Sequence, residues 1–236
     1  MRGPDLGKPM ACTRGAYVKP SILFIGKRGD AFCQQALDFV QQHFPECVAV
    51  LGCRGDRFPE SLSWWRGDVI LSYLSPWIIP GHVLRRARRA SINFHPGPPE
   101  YPGIGCTNFA IFNNEKQFGV TCHHMAEQVD TGPIIAVRRF PVQDKDTVLS
   151  LTRQCYAHLL ALFYEMAALL LDGADLPCAP EQWTRPPYRR AELEALCRVL
   201  PEMSEEEIRR RVRAVDYPDA PGAYLELAGI RFEARP

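Results

Sequence analysis

Residues 91–105 read SINFHPGPPEYPGIG, an apolar run that gives way to proline and glycine. Asn93 and His95 lie two residues apart, so on a strand their side chains share one face. Ligands of open α/β sheets bind outside the carboxyl ends of the strands. We therefore expect an amide and an imidazole to point into one site at a strand end. A purely structural explanation is equally good at this point, because Asn and Pro-Gly are common in turns.

A carboxylate follows in QVDTGPII, residues 128–135. Asn, His and Asp together suit proton transfer beside a developing oxyanion. Asp130 alone is a weak signal, since Asp-Thr-Gly is more often a simple turn. Its contribution depends on whether the fold brings it to His95.

The amino-acid composition limits the classes of protein to which this chain can belong. The 236 residues are 46% hydrophobic and 23% charged, which is typical of a globular protein of one domain plus an appendage. The formal net charge is +1, with no basic stripe, so we expect no nucleic-acid partner. The sequence contains no run of 18 consecutive apolar residues, so we expect no membrane span. Residues 1–20 lack the apolar core of a signal peptide and are predicted to be a loose tail.

The nine cysteines contain no C-x-x-C pair and no zinc spacing. An odd number without a framework predicts free thiols in a reducing cytoplasm. No metal site is expected from them.

Alternating strand and helix patterns predict an α/β protein whose mostly parallel sheet is covered by helices on both faces. Five apolar runs are predicted strands: Ser21–Gly26, Cys47–Gly52, Asp68–Ser72, Ser91–Asn93 and Phe118–Met125. Helical spacing predicts helices over 33–44, 81–90, 108–114 and 148–172. Gly173 is the expected stop of the last helix.

The chain changes character after Pro177, where prolines break it into short pieces. Ser204 and Glu207 form a capping-box pattern that predicts a new helix. Residues 223–232 predict a β-hairpin around Ala228-Gly229. We therefore expect a catalytic domain over 21–180 and an appendage over 181–236.

The combination Asn93-Phe-His95, Pro96-Gly97 and Asp130-Thr-Gly132 resembles the folate-dependent formyltransferase family, over roughly residues 21–175. The resemblance implies a Rossmann-like, mostly parallel sheet flanked by helices. It also implies N10-formyltetrahydrofolate as co-substrate, no metal, and Asn93, His95 and Asp130 as the catalytic triad.

Three further runs, 98–105, 118–125 and 217–224, resemble the nucleotide-linked sugar N-formyltransferases. This resemblance implies an amino-deoxysugar acceptor on dTDP, GDP or UDP, such as dTDP-4-amino-4,6-dideoxyglucose, in lipopolysaccharide O-antigen biosynthesis. Short members pair through a C-terminal helix and hairpin, so a homodimer through residues 204–234 is expected. The alternatives are a glycinamide-ribonucleotide-type transformylase and a non-catalytic folate-binding protein. The sugar, its amine position and its base stay open.

The resemblance also assigns the binding residues. Trp77, Ile78 and Ile79, with Asp130, are expected to hold the folate. Ile78 and Ile79 have an equally good explanation as core residues, because apolar side chains are usually interior.

Tyr101, Gly103 and His123 are the candidate substrate residues. Glycine allows close backbone approach to a ligand, whereas Tyr101 has an alternative as a surface aromatic on a proline-rich loop. His124 is expected to face away from His123, since neighbours on a strand alternate.

A run of four arginines falls within the predicted helix 81–90. It could attract a diphosphate or the glutamate tail of folate. We favour a solvated helix face, as most charge runs are. The four residues are Arg85, Arg86, Arg88 and Arg89.

Overall fold

A six-stranded sheet organises the chain, which we describe from a computed structural model over residues 17–218 and 220–234. The strands are β1 (Ile22–Lys27), β2 (Cys47–Gly52), β3 (Gly67–Tyr73), β4 (Ala87–His95), β5 (Gln117–His124) and β6 (Ile134–Pro141). Their spatial order is β2-β1-β3-β4-β5-β6. The first four are parallel, and β5 runs antiparallel to both of its neighbours, β4 and β6. The predicted α/β fold with a mostly parallel sheet is therefore confirmed.

Six α-helices, a short 3-10 helix (Glu60–Trp64) and a hairpin complete the described part of the chain. The helices are α1 (Ala31–His43), α2 (Gly81–Leu84), α3 (Cys106–Phe112), α4 (Val148–Asp172), α5 (Arg190–Cys197) and α6 (Glu205–Val215). Strands β7 (Tyr224–Leu227) and β8 (Ile230–Glu233) pair antiparallel as the predicted C-terminal hairpin. Ala228 and Gly229 make its turn with positive φ angles of 50° and 77°.

The sheet is buried on both faces, as parallel sheets usually are. Along β1, Ile22 and Phe24 enter the larger core, which also contains the apolar faces of α1 and α4. Leu23 and Ile25 point the other way, into a smaller cluster with Val83 of α2. The uninterrupted apolar run of β1 follows from this double burial.

Helix α4 has the bounds that its sequence pattern predicts. Thr147 and Ser150 cap its first turn reciprocally, and Gly173 closes it with a φ of 68°. By length and composition alone α4 could cross a membrane, but ten of its residues are buried in the protein core. We interpret it as a core helix on that ground.

The predicted helix over 81–90 is wrong beyond its first turn. Helix α2 ends at Leu84, and the chain enters β4 at Ala87. Arg88 and Arg89 are exposed on this strand, and Arg88 pairs with Asp68 of β3. Backbone pairing with β3 outweighs the local helix preference. The arginines are solvent-facing as expected, but they do not form a helix face.

Strand β6 and helix α5 were not predicted. Strand β6 forms a ladder with β5 from Ile134 to Pro141, so its identity depends on a partner strand rather than on a strong pattern. Residues 1–16 of the predicted tail lie outside the described residues. Tyr17 is anchored, because its hydroxyl donates to the Leu170 carbonyl at 2.6 Å. The domain boundary at residue 180 stays a prediction.

Candidate active site

Strand β4 positions Asn93 and His95, the first two residues of the site. It lies inside the sheet between β3 and β5 and ends at His95. Asn93 is paired across the ladder with His123 of β5. Residues directly opposite on antiparallel strands share a face, so Asn93, His95 and His123 project to one side at the carboxyl end of β4.

Asp130 reaches these residues from the loop between β5 and β6. Its backbone has a positive φ of 47°, a conformation that Asp tolerates better than most residues. Oδ2 accepts the N–H of Gly103 at 2.7 Å and lies 3.2 Å from His95 Nδ1. Oδ1 lies 3.2 Å from His123 Nε2. One buried carboxylate therefore connects two imidazoles and a backbone amide.

His95 faces an acceptor at each ring nitrogen. Nδ1 faces Asp130, and Nε2 lies 2.9 Å from the carbonyl oxygen of Tyr101. A carboxylate and a carbonyl can only accept, so a hydrogen on either ring nitrogen of His95 has a partner. Such a ring can donate a hydrogen bond or a proton to a developing oxyanion.

His123 is shared between Asn93 and Asp130. Its Nδ1 lies 2.9 Å from the carbonyl oxygen of His124, and its Nε2 lies 3.1 Å from Asn93 Nδ2. A ring protonated only at Nδ1 accepts from the Asn93 amide, whereas a doubly protonated ring donates to Asp130. The number of protons on the His123 ring therefore decides whether Nε2 accepts from Asn93 or donates to Asp130. The Asn93 amide has a second hydrogen for a ligand.

The pKa of Asp130 is lowered to about 2. Burial alone raises the pKa of this carboxyl, but attraction to His95, the contact with His123 and the hydrogen bond from Gly103 outweigh that effect. Asp130 is thus ionised near neutral pH. It can orient and stabilise a protonated His95 but is a poor proton donor itself.

A cavity of about 370 Å³ opens at these groups, within the range of small-molecule sites. Its wall includes all three catalytic candidates, the three folate candidates and His123: Asn93, His95, Asp130, Trp77, Ile78, Ile79 and His123. The sequence-predicted triad and the predicted folate residues therefore line one cavity. We call it the catalytic cavity.

The folate candidates differ in environment. Ile79 is 6% exposed and belongs to the smaller core cluster, whereas Ile78 is 71% exposed. The Trp77 indole N–H donates to the Asp56 carbonyl at 2.8 Å, which fixes the ring at the cavity wall. The core explanation therefore holds for Ile79 but not for Ile78. Both residues still contribute to the cavity wall.

A second cavity of about 670 Å³ adjoins the first, and we call it the side cavity. The two share four lining residues: Pro96, Gly103, Ile104 and Tyr156. Elements of the C-terminal region, including α5 and the hairpin, form much of its wall. The cavities together make a continuous cleft between the sheet and the C-terminal region.

The three predicted substrate residues take different positions. Gly103 lines both cavities, and its φ of 90° places it where a Cβ would collide with the backbone of Tyr188. His123 lines the catalytic cavity and is 2% exposed. The Tyr101 side chain lines neither cavity.

Tyr101 is a buried residue rather than a surface aromatic. Its side chain is 5% exposed in the larger core, and its hydroxyl donates to Glu115 at 2.6 Å. It approaches the site only through its carbonyl oxygen, which faces His95. The proline-rich loop folds back on the sheet, which is why an exposed position was the wrong alternative.

Other contacts at the site had no sequence signal. The sequence does not place Gly103 N–H on Asp130, and it does not place Trp183 beside the histidines. Both are long-range contacts: the first joins two loops, and the second joins a loop to strands β4 and β5. The alternation rule did separate His123 from His124, because only His123 lies in the catalytic cavity wall.

Within residues 17–218 and 220–234, no three His, Cys, Asp or Glu side chains are grouped as a metal site. The eight cysteines in the same ranges are free thiols. Burial raises the pKa of the Cys106 thiol, which lines the side cavity, to about 12. This thiol is therefore a poor nucleophile near neutral pH. The absence of a metal stays a prediction.

Comparison with known proteins shows a similarity to the formyl transferases. The formyl transferase family profile matches residues 58–161, which include all three catalytic candidates. The chain is 34% identical over 163 residues to GDP-perosamine N-formyltransferase of Brucella melitensis. That match covers 69% of this chain and 62% of the relative. The chain is similar to the formyl transferase family over these residues, and it spans less than two thirds of this relative's length.

Solved structures share the fold. A sugar N-formyltransferase from Shewanella superposes with a TM-score of 0.72 at 19% identity, covering 91% of this chain and 96% of that one. An N-formyltransferase from Helicobacter canadensis, in complex with folinic acid and dTDP-3-aminofucose, gives a TM-score of 0.69 at 17% identity. This match covers 89% of this chain and 84% of the other. At such identities the similarity concerns the fold alone.

The lowered pKa of Asp130 predicts an acid-sensitive contribution to stability. Because its folded-state pKa of about 2 lies below the ordinary 3.8, Asp130 stabilises the fold above about pH 4. That stabilisation is lost as the pH falls through about 2. We expect wild type to lose about 2 kcal/mol of unfolding free energy from this group across that window. Asp130→Asn should lack this component.

Urea unfolding at a series of acidic pH values measures it. The control is Asp175→Asn, which removes an exposed carboxylate and should follow the wild-type curve. If Asp130→Asn loses stability with acid as steeply as wild type, the carboxylate is not held by its histidines.

Proposed function

We propose that this chain transfers a formyl group from N10-formyltetrahydrofolate to the amine of a nucleotide-linked amino-deoxysugar. The observation that carries the proposal is the meeting of Asn93, His95 and Asp130 in one cavity that continues into a second. The match to the formyl transferase profile and the similarity to N-formyltransferases support the same reaction class. The enzyme is proposed to act in the cytoplasm, in O-antigen biosynthesis.

The chemistry needs an oxyanion site and a proton path. A neutral amine attacks the formyl carbon, a new C–N bond forms, and the carbonyl oxygen gains negative charge. The second hydrogen of the Asn93 amide and the N–H of His95 stabilise that charge. The bond to N10 then breaks, and the proton lost by the amine ends on the leaving nitrogen.

Asp130 has an electrostatic and orienting function in this scheme. It stays ionised and holds the Nδ1 side of His95, so the Nε2 side, which lies 2.9 Å from the Tyr101 carbonyl, is the one that shares its hydrogen bond with the oxyanion. No covalent enzyme intermediate is involved. We propose that the reaction uses no metal.

The catalytic cavity suits the reactive part of the folate. Its wall combines the indole of Trp77 and the exposed side chain of Ile78 with polar groups at its base. A flat ring needs an apolar surface on which to lie, and few convergent polar groups suffice to orient it. We place the folate against these two side chains.

The first test is a product assay. The panel contains dTDP-4-amino-4,6-dideoxyglucose, GDP-perosamine and dTDP-3-aminofucose, each incubated with N10-formyltetrahydrofolate and analysed by mass spectrometry. We expect a formylated product from at least one sugar. His95→Gln should lower kcat by ~10²–10³ because an oxyanion donor is lost. The control, His43→Gln, lies at the end of α1 and should retain wild-type turnover.

Two outcomes would redirect the assignment. Formylation of glycinamide ribonucleotide but of no sugar would support the transformylase alternative. Folate binding without turnover of any amine would support a non-catalytic protein. Unchanged kcat in His95→Gln would contradict the assignment of Asn93, His95 and Asp130 as the catalytic triad. It would not decide which acceptor the enzyme uses.

We place the nucleoside diphosphate of the acceptor in the side cavity. Three arginines line it, from three separate parts of the chain, against one carboxylate: Arg54, Arg190, Arg231 and Glu194. Guanidinium groups bind phosphate oxygens bidentately. Tyr217 and Tyr224 add aromatic faces for a base. Of the four residues that line both cavities, Tyr156 is the one with a polar side chain. We therefore place its hydroxyl next to the sugar.

Arg190→Gln tests this placement. We expect the KM for the nucleotide sugar to rise ~10-fold, about 1.4 kcal/mol, while the KM for the folate is unchanged. Arg209→Gln removes the same charge from α6 outside both cavities and serves as the control. Equal increases in both KM values, or no increase, would contradict a diphosphate site at Arg190.

We propose that the hairpin pairs with that of a second copy of the chain. Its register places four apolar side chains on one face: Leu225, Leu227, Ile230 and Phe232. The last three are more than half exposed. An isolated two-stranded hairpin is marginal in water. Tyr224 and Arg231 on the other face line the side cavity, so dimerisation would also steady that wall.

The assembly prediction concerns Leu227→Ser combined with Phe232→Ser. We expect wild type to sediment as a dimer and the double variant as a monomer, because the apolar face is removed. Glu226→Ser, on the opposite face of the hairpin, should stay dimeric. A monomeric wild type at micromolar concentration would refute the proposed interface.

A further inference from the structure

Trp183 contacts both histidines of the site from outside the two cavities. Its ring centroid lies 5.0 Å from that of His123 and 5.8 Å from that of His95. The interplanar angles are 88° and 73°, an edge-to-face arrangement in each case. Trp183 lines neither cavity, so ligands and indole approach the histidines from different sides.

The indole is also tied to the loop that holds the carboxylate. Its Nε1–H donates to the carbonyl of Gly132 at 2.8 Å, two residues after Asp130. Gly132 itself is packed so closely against the His124 carbonyl that a Cβ would collide there. One side chain therefore touches both imidazoles and fixes the backbone beside the carboxylate between them.

The segment that carries Trp183 has a fixed path. The N–H of Thr184 donates to the Pro99 carbonyl at 3.2 Å, and the N–H of Tyr188 donates to the Pro102 carbonyl at 2.8 Å. Ile104 N–H donates back to the Tyr188 carbonyl at 3.2 Å. These bonds align the segment with the loop that follows His95. The indole is thereby placed by backbone hydrogen bonds to residues 99–104 and by its own bond to Gly132.

We infer that Trp183 is a positioning residue, which holds His95 and His123 in their geometry about Asp130 and keeps water from the buried side of the three groups. His95, His123 and Asp130 are each at most 4% exposed. Electrostatic and hydrogen-bond interactions are stronger in such a dry environment. A water admitted behind the rings would compete for the carboxylate and free the imidazoles to rotate. The inference rests on the proposed formyl transfer for its kinetic readout.

The kinetic test is the graded series Trp183→Phe, Trp183→Leu and Trp183→Ala. We expect kcat to fall in that order, by ~10²-fold for Ala, since small displacements of catalytic groups have effects of this size. Both KM values should change by less than about threefold, because the indole touches no ligand. Trp64→Ala removes a tryptophan that is 80% exposed and should leave kcat unchanged.

A second readout does not depend on turnover. Ring ¹⁵N shifts of histidine report the tautomer and protonation state, and we expect those of His95 and His123 to change in the Leu and Ala variants. They should be retained in Trp183→Phe, and His82 should be unaffected throughout. If wild type transfers no formyl group, the proposed function fails, and these shifts still decide whether Trp183 positions the rings.

Wild-type kcat within twofold in both Trp183→Leu and Trp183→Ala would overturn the inference. Unchanged ¹⁵N shifts of His95 and His123 in Trp183→Leu would overturn it equally. If Trp183→Ala does not fold, the comparison of Trp183→Phe with Trp183→Leu decides. Equal kcat values in these two variants and in wild type would contradict a positioning function.

Discussion

The site depends on one buried carboxylate that is shared by two imidazoles. Asp130 contacts His95 with one oxygen and His123 with the other, and the Gly103 N–H also donates to it. Burial opposes the charge of this carboxylate, and its three partners outweigh that cost, as its lowered pKa records. The loop after β4 and the loop after β5 are joined through this one group.

The sheet makes that meeting possible. The antiparallel pairing of β5 with β4 sets His123 opposite Asn93, and the turn after β5 returns the chain toward the end of β4. Buried polar groups are stable only when their partners are complete. The same constraint explains why Gly103 and Gly132, where side chains would collide with backbone, stand next to the carboxylate.

The C-terminal region is part of the cleft rather than a separate attachment. It forms much of the side cavity, and through Trp183 it reaches the histidines. Reaction chemistry and acceptor recognition would therefore be coupled through one short segment, residues 183–188, that is bonded to the loop after His95.

The sequence by itself determined the local features: Asn93 and His95 on one strand face, the bounds of α4 with its caps, and the C-terminal hairpin. Periodicity, capping and turn chemistry are written within a few neighbouring residues, so they can be predicted. The resemblance to a family supplied Asp130, which its own turn sequence did not. Only the tertiary structure decided that Arg88 and Arg89 lie on a strand, that Tyr101 is buried, and that Trp183 lies against the histidines. These outcomes depend on backbone pairing and packing between distant segments, whose free energy outweighs local preference and leaves no local pattern.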